Sequence, residues 1–485
     1  MTFRYRLLIL AAALLLGLSG RRVSAGLSTK GTRLLCNGKP VFLRGSYYVQ
    51  PAAYHHCFLI EFDERQMARD FRRMRKLGMN CLAISVNWGD FISRLDVAKR
   101  RCEWNAEVGR RLRRLLDCAR RENLIVDLWF GTARAPVGLP GCRVGESEKD
   151  LCGHLHRAFC GYMWQNYPGC AQFDDFEWQA FLDYHRRVAE LTRGFDNVIF
   201  DPLDWQHLNM NYWAWGNERN LEAWRTWLRR RNPDLSYWNK RWGENGGSWS
   251  QVFFPVDDWV RQTAARLGGS PYAGKPDTPE GPKWKGFRAW HDGLCNEVAT
   301  AITGVLKEVR PDVLIGQRVD IWHYGDFRAN TWAAGQVDFI FQGWYSEKPE
   351  QARSPGRFIA GAVRDVAVRW PRPVPMVFWE TGMNMPDLPE RQADELQAVQ
   401  FAVTERTAQE LHLSGWMWWT WRDYCMSKAA LRFGLTRVDG TPKPALQSLP
   451  RIIRGHQGRP KTRAARSRAT SSAGKAAHRQ ASGQQ

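Results

Sequence analysis

Motifs that would assign a reaction at sight are missing from this 485-residue chain. No G-x-G-x-x-G follows the first strand-like run and no G-x-x-x-x-G-K-[ST] occurs, which removes the usual nucleotide-cradling loops. No H-E-x-x-H is present and no H-x-H pair falls on a strand-like or helical stretch, so metal-dependent hydrolysis is disfavoured. No G-x-S-x-G elbow occurs, which disfavours a Ser–His–Asp hydrolase. No C-x-x-C pair is found among the 11 cysteines, so disulfides are a better reading of them than zinc.

Long apolar runs are also scarce. The run "LLILAAALLLGLSG" (7–20) is short of the roughly 20 residues that a membrane span needs. With Arg4 and Arg6 before it and "VSA" ahead of Gly26, it reads as a cleaved export signal over residues 1–25. Arg21 and Arg22 are atypical of such a signal, and an uncleaved anchor is the alternative. A secreted or periplasmic location agrees with the cysteine content. Cys142, Cys152, Cys160 and Cys170 share one irregular stretch, and Cys57 and Cys102 fall in loops nearby in the same half, so disulfides are expected to brace these loops. The odd total leaves a thiol over, and Cys81, on an apolar strand-like run, is the expected buried free one.

Carboxylates are the third shortage, with 49 Asp and Glu against 70 Lys and Arg for a net charge of +21. From Arg451 onward there are nine cations and no Asp or Glu, in a Ser/Ala/Gly/Gln-rich context that cannot build a core. Residues 451–485 therefore read as a disordered basic tail. With that tail and the four arginines at 4, 6, 21 and 22 set aside, the remainder carries +8, an ordinary solubility setting. An acidic polysaccharide is permitted as a partner but not demanded. Nucleic acid is not expected for an exported protein, and no stable membrane span or cofactor is expected.

Between residues 26 and 450, short β-rich apolar runs alternate with long helical patterns. "KPVFLRGSYY" follows an Asn37-Gly38 turn that would pair it with "TRLLC". After it come "MNCLAISVNW", "LIVDLWFG", "NVIFDPLD", "VLIGQRVD", "VDFIFQGWY", "PVPMVFWETG" and "GWMWWTWRDY". Eight strands joined through helices imply parallel pairing by right-handed crossovers and predict an α/β fold, a (β/α)₈ TIM barrel with long βα loops.

In such a barrel the functional side chains stand at the carboxyl ends of the strands. That rule selects Arg44 and Tyr47, Trp88, Asp127 and Trp129, Asp204 and Trp205, then Arg318, Asp320, Trp322 and His323, Tyr345, Glu380, and finally Trp419, Trp421 and Asp423. The rim is rich in tryptophan and carboxylate. The chain has 25 tryptophans, whose flat apolar faces suit the C–H faces of sugar rings. For Trp224, Trp227, Trp238 and Trp242, packing of helices is the better reading. Two carboxylates on opposite strands are the equipment for cleaving a glycosidic bond. Glu380 is the best placed, because "PMVFWE" ends an apolar strand in a charge that is costly to bury without a use. The alternative is an ion pair with Arg44 or Arg318 across the rim.

From "NGKPVFLRG" to "FGLTRVDGTPKPAL", nearly the whole of 26–450 resembles the retaining glycoside hydrolases of the (β/α)₈ clan that includes family-5 cellulases and mannanases and family-42 β-galactosidases. "VIFDPLDWQH" is similar to the family-5 pattern V-I-F-E-P-L-N-E-P-H, and "WRTWLRRRNPDLSYWNKRWG" resembles the family-42 run of a W-L helix followed by L-N-x-x-W-G. The resemblance implies an exported O-glycosyl hydrolase with Glu380 as nucleophile, and an acid/base in an Asn-Glu pair ending strand four. Here that pair is displaced: Asp204 and Trp205 stand in its place, and Asn217-Glu218 follows 13 residues later. Glu218 and Asp204 are thus the acid/base candidates. Arg44, Trp88, Asn217, Asp320, His323, Tyr345, Trp419 and Trp421 are the candidate sugar contacts. The clan's strand-two arginine has no counterpart in "CLAISV". A carbohydrate-binding barrel without activity and a secreted scaffold are the other readings.

Overall fold

The computed structural model describes residues 26–50, 58–131, 148–149, 155–156, 175–203, 218–255, 281–319, 333–346, 348–353, 356–426 and 429–457. Eight strands carry the fold: β1 (Leu43–Tyr47), β2 (Cys81–Asn87), β3 (Ile125–Gly131), β4 (Val198–Leu203), β5 (Leu314–Val319), β6 (Phe339–Ser346), β7 (Met376–Met383) and β8 (Gly415–Trp418). They pair in parallel in chain order, and β8 closes onto β1. This is the expected (β/α)₈ barrel. Its strands are covered on both sides, which is why every residue of β2 and of β3 is buried and why both read as apolar runs. At the β8–β1 seam Gly415 has φ +147°, and a Cβ there would stand 2.3 Å from the Leu43 carbonyl oxygen, so the closure requires glycine.

The first strand departs from expectation. Asn37 and Gly38, with φ of +53° and +74°, make the turn of a hairpin whose second arm is only Lys39–Pro40. The chain then enters the barrel as β1, so the run "KPVFLRGSYY" is divided between two sheets. Pro40 explains the break, since it has no N–H with which to extend the ladder.

Outside the barrel lie α1 (Glu64–Lys76), α2 (Ala106–Arg121), α3 (Asp175–Leu191), α4 (Glu218–Arg231), α5 (Leu235–Trp242), α6 (Pro282–Val309), α7 (Gly356–Arg369), α8 (Glu390–Glu410) and α9 (Pro444–Gln457). Asp63 caps α1 by accepting from the Gln66 N–H at 2.9 Å, and Asn105 caps α2 through the Val108 N–H at 3.4 Å. Met67, Phe71 and Met74 of α1, with Leu112, Leu115 and Leu116 of α2, face the strands at helical spacing.

The barrel interior is a second core. Leu43, Ile125, Ile199, Leu314, Phe339, Phe341, Val377 and Met417 fill it below, and Tyr47, Trp129, Trp379 and Trp419 above. A third cluster stands between β4 and β5, where Trp224, Trp238, Trp284 and Trp290 are buried among α4, α5 and the start of α6, with Trp227 and Trp242 packed against them. The packing reading of Trp224, Trp227, Trp238 and Trp242 holds, although they pack on one another rather than on the strands.

Cys81 is buried and free, as its position suggested. Cys102 is free as well: it lies in a hairpin arm opposite Leu95, packed against apolar neighbours, and does not brace the rim. The other cysteines expected to do so, Cys57, Cys142, Cys152, Cys160 and Cys170, lie outside the described residues. Residues 451–457, expected to open the disordered tail, are helical. Helix α9 includes residues 451–457 because Leu446, Leu449, Ile452 and Ile453 form one apolar stripe against the core. Residues 1–25 and 458–485 lie outside the described residues, and no described helix is long and apolar enough to cross a membrane.

Candidate active site

Strand β7 places the central carboxylate by breaking its own alternation. Val377 and Trp379 point into the barrel, so a regular strand would turn Glu380 outward toward the helices. The register instead slips between Phe378 and Thr381 on the β8 side, and Glu380 adopts φ +54°. Both Trp379 and Glu380 therefore reach the interior. A left-handed conformation costs a non-glycine residue of order 1–3 kcal/mol, and such outliers persist where the surroundings hold them.

Arg318 on β5 does the holding. Its Nη1 donates to Glu380 Oε1 at 2.6 Å and its Nε to Asp201 Oδ2 at 2.6 Å. Asp201 is a fully buried residue of β4. The guanidinium also lies against two indoles, 3.8 Å from the Trp379 ring centre and 4.3 Å from that of Trp129. Its environment is desolvated, which strengthens both cation–π contacts and both charge-assisted hydrogen bonds. The ion pair with Arg318 weighed for Glu380 is thus present.

Other partners complete the setting. The Tyr345 hydroxyl donates to Glu380 Oε2 at 3.5 Å. Burial first, and the nearby Glu380 second, hold this phenol well above its ordinary pKa, so it stays a donor. Trp419 Nε1 donates to the Tyr424 hydroxyl at 3.1 Å, and the Trp419 ring lies 4.4 Å from that of Tyr47. Beneath Arg318, Trp379 Nε1 donates to Asp127 Oδ2 at 2.5 Å. Asp127 is buried, and burial pushes its carboxyl up to about 7 against the opposing pull of Arg318 and of the Trp379 hydrogen bond. Its other oxygen accepts no hydrogen bond among the described residues. The result is a carboxylate at the mouth, on an aromatic bed, backed by a buried layer of one cation and two further acids.

Three expected sugar contacts are corrected. Arg44 alternates with the inward residues Leu43, Gly45 and Tyr47, so it points outward and makes a forked pair with buried Glu405 of α8 at 2.7–3.1 Å. Trp88 is fully buried on the outer side of the barrel, edge-on to Phe181 at 5.1 Å. Trp421, two positions beyond Trp419, is also fully buried in the outer core. Asp423 is occupied by Lys443 at 2.8 Å and the Gly434 N–H at 2.7 Å. Tyr345, Trp419 and Glu380 do come together. Glu218 opens α4, and its side chain lies outside the described residues, as do Asp204, Asn217, Asp320 and His323.

Asp201 is the site residue that sequence reasoning missed, whereas Arg318 was placed on the rim but weighed only as an ion-pair partner of Glu380. Asp201 had a signal: it interrupts the apolar strand "VIFDPL" and occupies the first Glu of V-I-F-E-P-L-N-E. No group of three or more potential metal ligands occurs among the described residues.

No family model matches the chain, and neither does any curated protein. Solved structures do match. A β-galactosidase from Bacillus circulans sp. alkalophilus has a TM-score of 0.58 at 15% identity, covering 86% of this chain and 56% of its own. A polyextremophilic β-galactosidase from the Antarctic haloarchaeon Halorubrum lacusprofundi gives 0.56 at 14% identity, covering 86% and 59%. The exo-β-1,4-mannosidase Op5Man5 from Opitutaceae bacterium strain TAV5 gives 0.52 at 14%, covering 89% and 62%. The chain therefore spans about three fifths of the length of these relatives. At such identities the likeness is one of fold: this chain has the (β/α)₈ barrel of glycoside hydrolases.

Proposed function

We propose that the protein is a glycoside hydrolase that cleaves an oligo- or polysaccharide with retention, through a glycosyl-enzyme intermediate on Glu380. The observation that carries this reading is the β7 bulge, which turns Glu380 into the mouth of the barrel and fixes it on Arg318 and Tyr345. Arg318 keeps the carboxylate ionised and oriented for attack on the anomeric carbon. Trp419 supplies an aromatic platform for a sugar ring. The acid that protonates the leaving oxygen comes from the segment after β4, with Glu218 and Asp204 as candidates. A separation from Glu380 of about 5–5.5 Å would fit retention. Export by the N-terminal signal and disulfides among Cys142, Cys152, Cys160 and Cys170 belong to the same reading.

The neighbours named above make aryl β-galactosides and β-mannosides the first substrates to try. Glu380→Gln should lower turnover by several orders of magnitude while sugar binding persists, and an activated fluoro-sugar should label Glu380. Labelling of a different carboxylate would remove Glu380 from the role. Binding of sugars with no turnover of any glycoside would favour the non-catalytic barrel.

A further inference from the structure

The net charge of the folded chain is gathered on one wall. Helices α1 and α2 together hold twelve Lys and Arg against four Asp and Glu, a net +8. Residues 26–450 as a whole also sum to +8. Everything else in the folded part is therefore neutral overall, and the excess lies on two adjacent helices. At 1.5 Å per residue these make a strip about 20 Å long.

The four acids do not neutralise the strip. Glu107 is shared by Arg110 and Arg111, Asp117 is held by Arg120, Glu64 faces Arg114, and buried Asp70 is paired with Arg422. Arg65, Arg69, Arg72, Arg75, Lys76 and Arg121 are exposed, and none is paired with a carboxylate among the described residues. Several converge instead of spreading. Arg72 of α1 and Arg121 of α2 both act on the Cys118 thiol between the helices, opposing the rise that burial gives it. Like charges brought together across a helix pair are mutually destabilising, and an anion laid between them would relieve that repulsion. Helix α9 abuts the end of α1, where Ile453 packs 2.6 Å from where a Cβ on Gly78 would stand, and it carries exposed Arg451 and Arg454 on either side of that contact in sequence.

We propose that the α1–α2 wall, extended by Arg451 and Arg454, docks a linear polysaccharide bearing carboxylate or sulfate groups. Eleven of the twelve cations are arginine, whose planar fork matches such oxyanions in pairs. The large exposed hydrophobics of the described chain are Tyr237, Val368 and Val399, none on this wall. A helix lying on a membrane carries Trp, Phe or Leu for insertion, and single-stranded nucleic acid is held on aromatic platforms; the wall offers neither. The choice of a sugar backbone rests on the function proposed above, whereas the charge argument stands without it.

The test uses the full chain and polygalacturonate, with neutral dextran as control, and reads binding without turnover. Wild type should bind at about 10 mM salt, where the screening length is ~30 Å, and release toward about 1 M, where it is ~3 Å. The fourfold variant R69E/R72E/R75E/R121E should bind at least about tenfold more weakly with a thermal melt no lower than wild type, since its four side chains are exposed and their mutual repulsion is removed. Equal binding by this variant, equal retention of dextran, or loss of binding on deletion of 458–485 alone would each overturn the proposal. So would capture by anionic phospholipid vesicles or single-stranded DNA with none by polygalacturonate. Failure of glycosidase assays would leave this readout intact, so the two proposals can fall separately.

Discussion

Tryptophan crowds two regions of this molecule, and the regions use it differently. In the α4–α6 cluster, Trp224 stacks on Trp227 at 5.3 Å and 21°, and Trp238 lies 5.2 Å from Trp242. The indole N–H groups of Trp224, Trp242 and Trp284 are buried there without a hydrogen-bond partner among the described residues. At the barrel mouth, Trp379 donates to Asp127, Trp419 donates to Tyr424, and Arg318 lies between Trp129 and Trp379. One region spends its indoles mainly as apolar volume, leaves some donors unmet, and meets cations only along its edge, where Lys283 lies 5.3 Å from the Trp242 ring centre. The other ties its indoles to Asp127, Tyr424 and Arg318 beside Glu380. Tryptophan abundance alone therefore carries no functional information.

Removing the charge from the mouth should have the largest effect of any single change. Arg318→Met keeps much of the side chain's volume but takes the cation from buried Asp201 and from half-buried Glu380. Breaking a buried pair in this way costs about 3–5 kcal/mol. Turnover should collapse as well, since Glu380 loses the partner that holds its carboxylate in place. Denaturant melts and turnover measured on the same preparation check this. Full activity with a lowered melt would mean that Arg318 is only structural.

The other tryptophan region should respond in one readout only. Trp224→Ala removes a fully buried ring from the α4–α6 cluster and should cost about 3–5 kcal/mol. Turnover per folded molecule should stay near wild type, because among the described residues that ring stacks on Trp227, Trp242, Trp290, Phe254 and Phe287 and on no ring of the mouth. A large fall in turnover with a normal melt would show that the cluster shapes the candidate site, and the contrast between the regions would be lost.

What could be read beforehand follows from periodicity. All eight strands were visible, because a parallel strand covered on both faces is an apolar run flanked by helical patterns, and "PMVFWE" ends where β7 turns Glu380 inward. Facing was harder. Arg44, Trp88 and Trp421 were taken for rim residues from their nearness to strand ends, yet one step of the two-residue alternation turns Arg44 outward to Glu405. The pairing of Arg318 with Glu380 was among the readings of the rim and is present; what the strand ends did not show is that Asp201 holds the other side of the same guanidinium. The bulge itself has no glycine or proline to announce it, so the inward turn of both Trp379 and Glu380 was not legible in the sequence.

The smallest expected effect separates the two regions by pH. Asp127 exists only because the mouth is wired, and burial lifts its pKa from 3.8 to about 7. With the folded value raised above the unfolded one, the native state holds a proton that the unfolded chain has released. Stability from this group is therefore complete below about pH 4, falls as pH rises between about 4 and 7, and is lost above 7, by a few kcal/mol at most. Arg318 on β5 and Cys81 on β2 face the same carboxyl, and the Cys81 thiol is raised well above its ordinary value by burial, so it stays neutral through this window. His185 has the opposite slope: burial pulls its pKa from 6.5 to about 3, so its contribution is present above 6.5 and lost as pH falls. The difference between wild type and Asp127→Asn cancels His185 and isolates Asp127. Asparagine copies the protonated acid, with an oxygen to accept from Trp379 and a donor on the other side. The variant should match wild type near pH 4.5 and exceed it near pH 8.5 in denaturant midpoint, whereas curves that run parallel across that range would mean that Asp127 stays ionised and that Arg318 outweighs its burial.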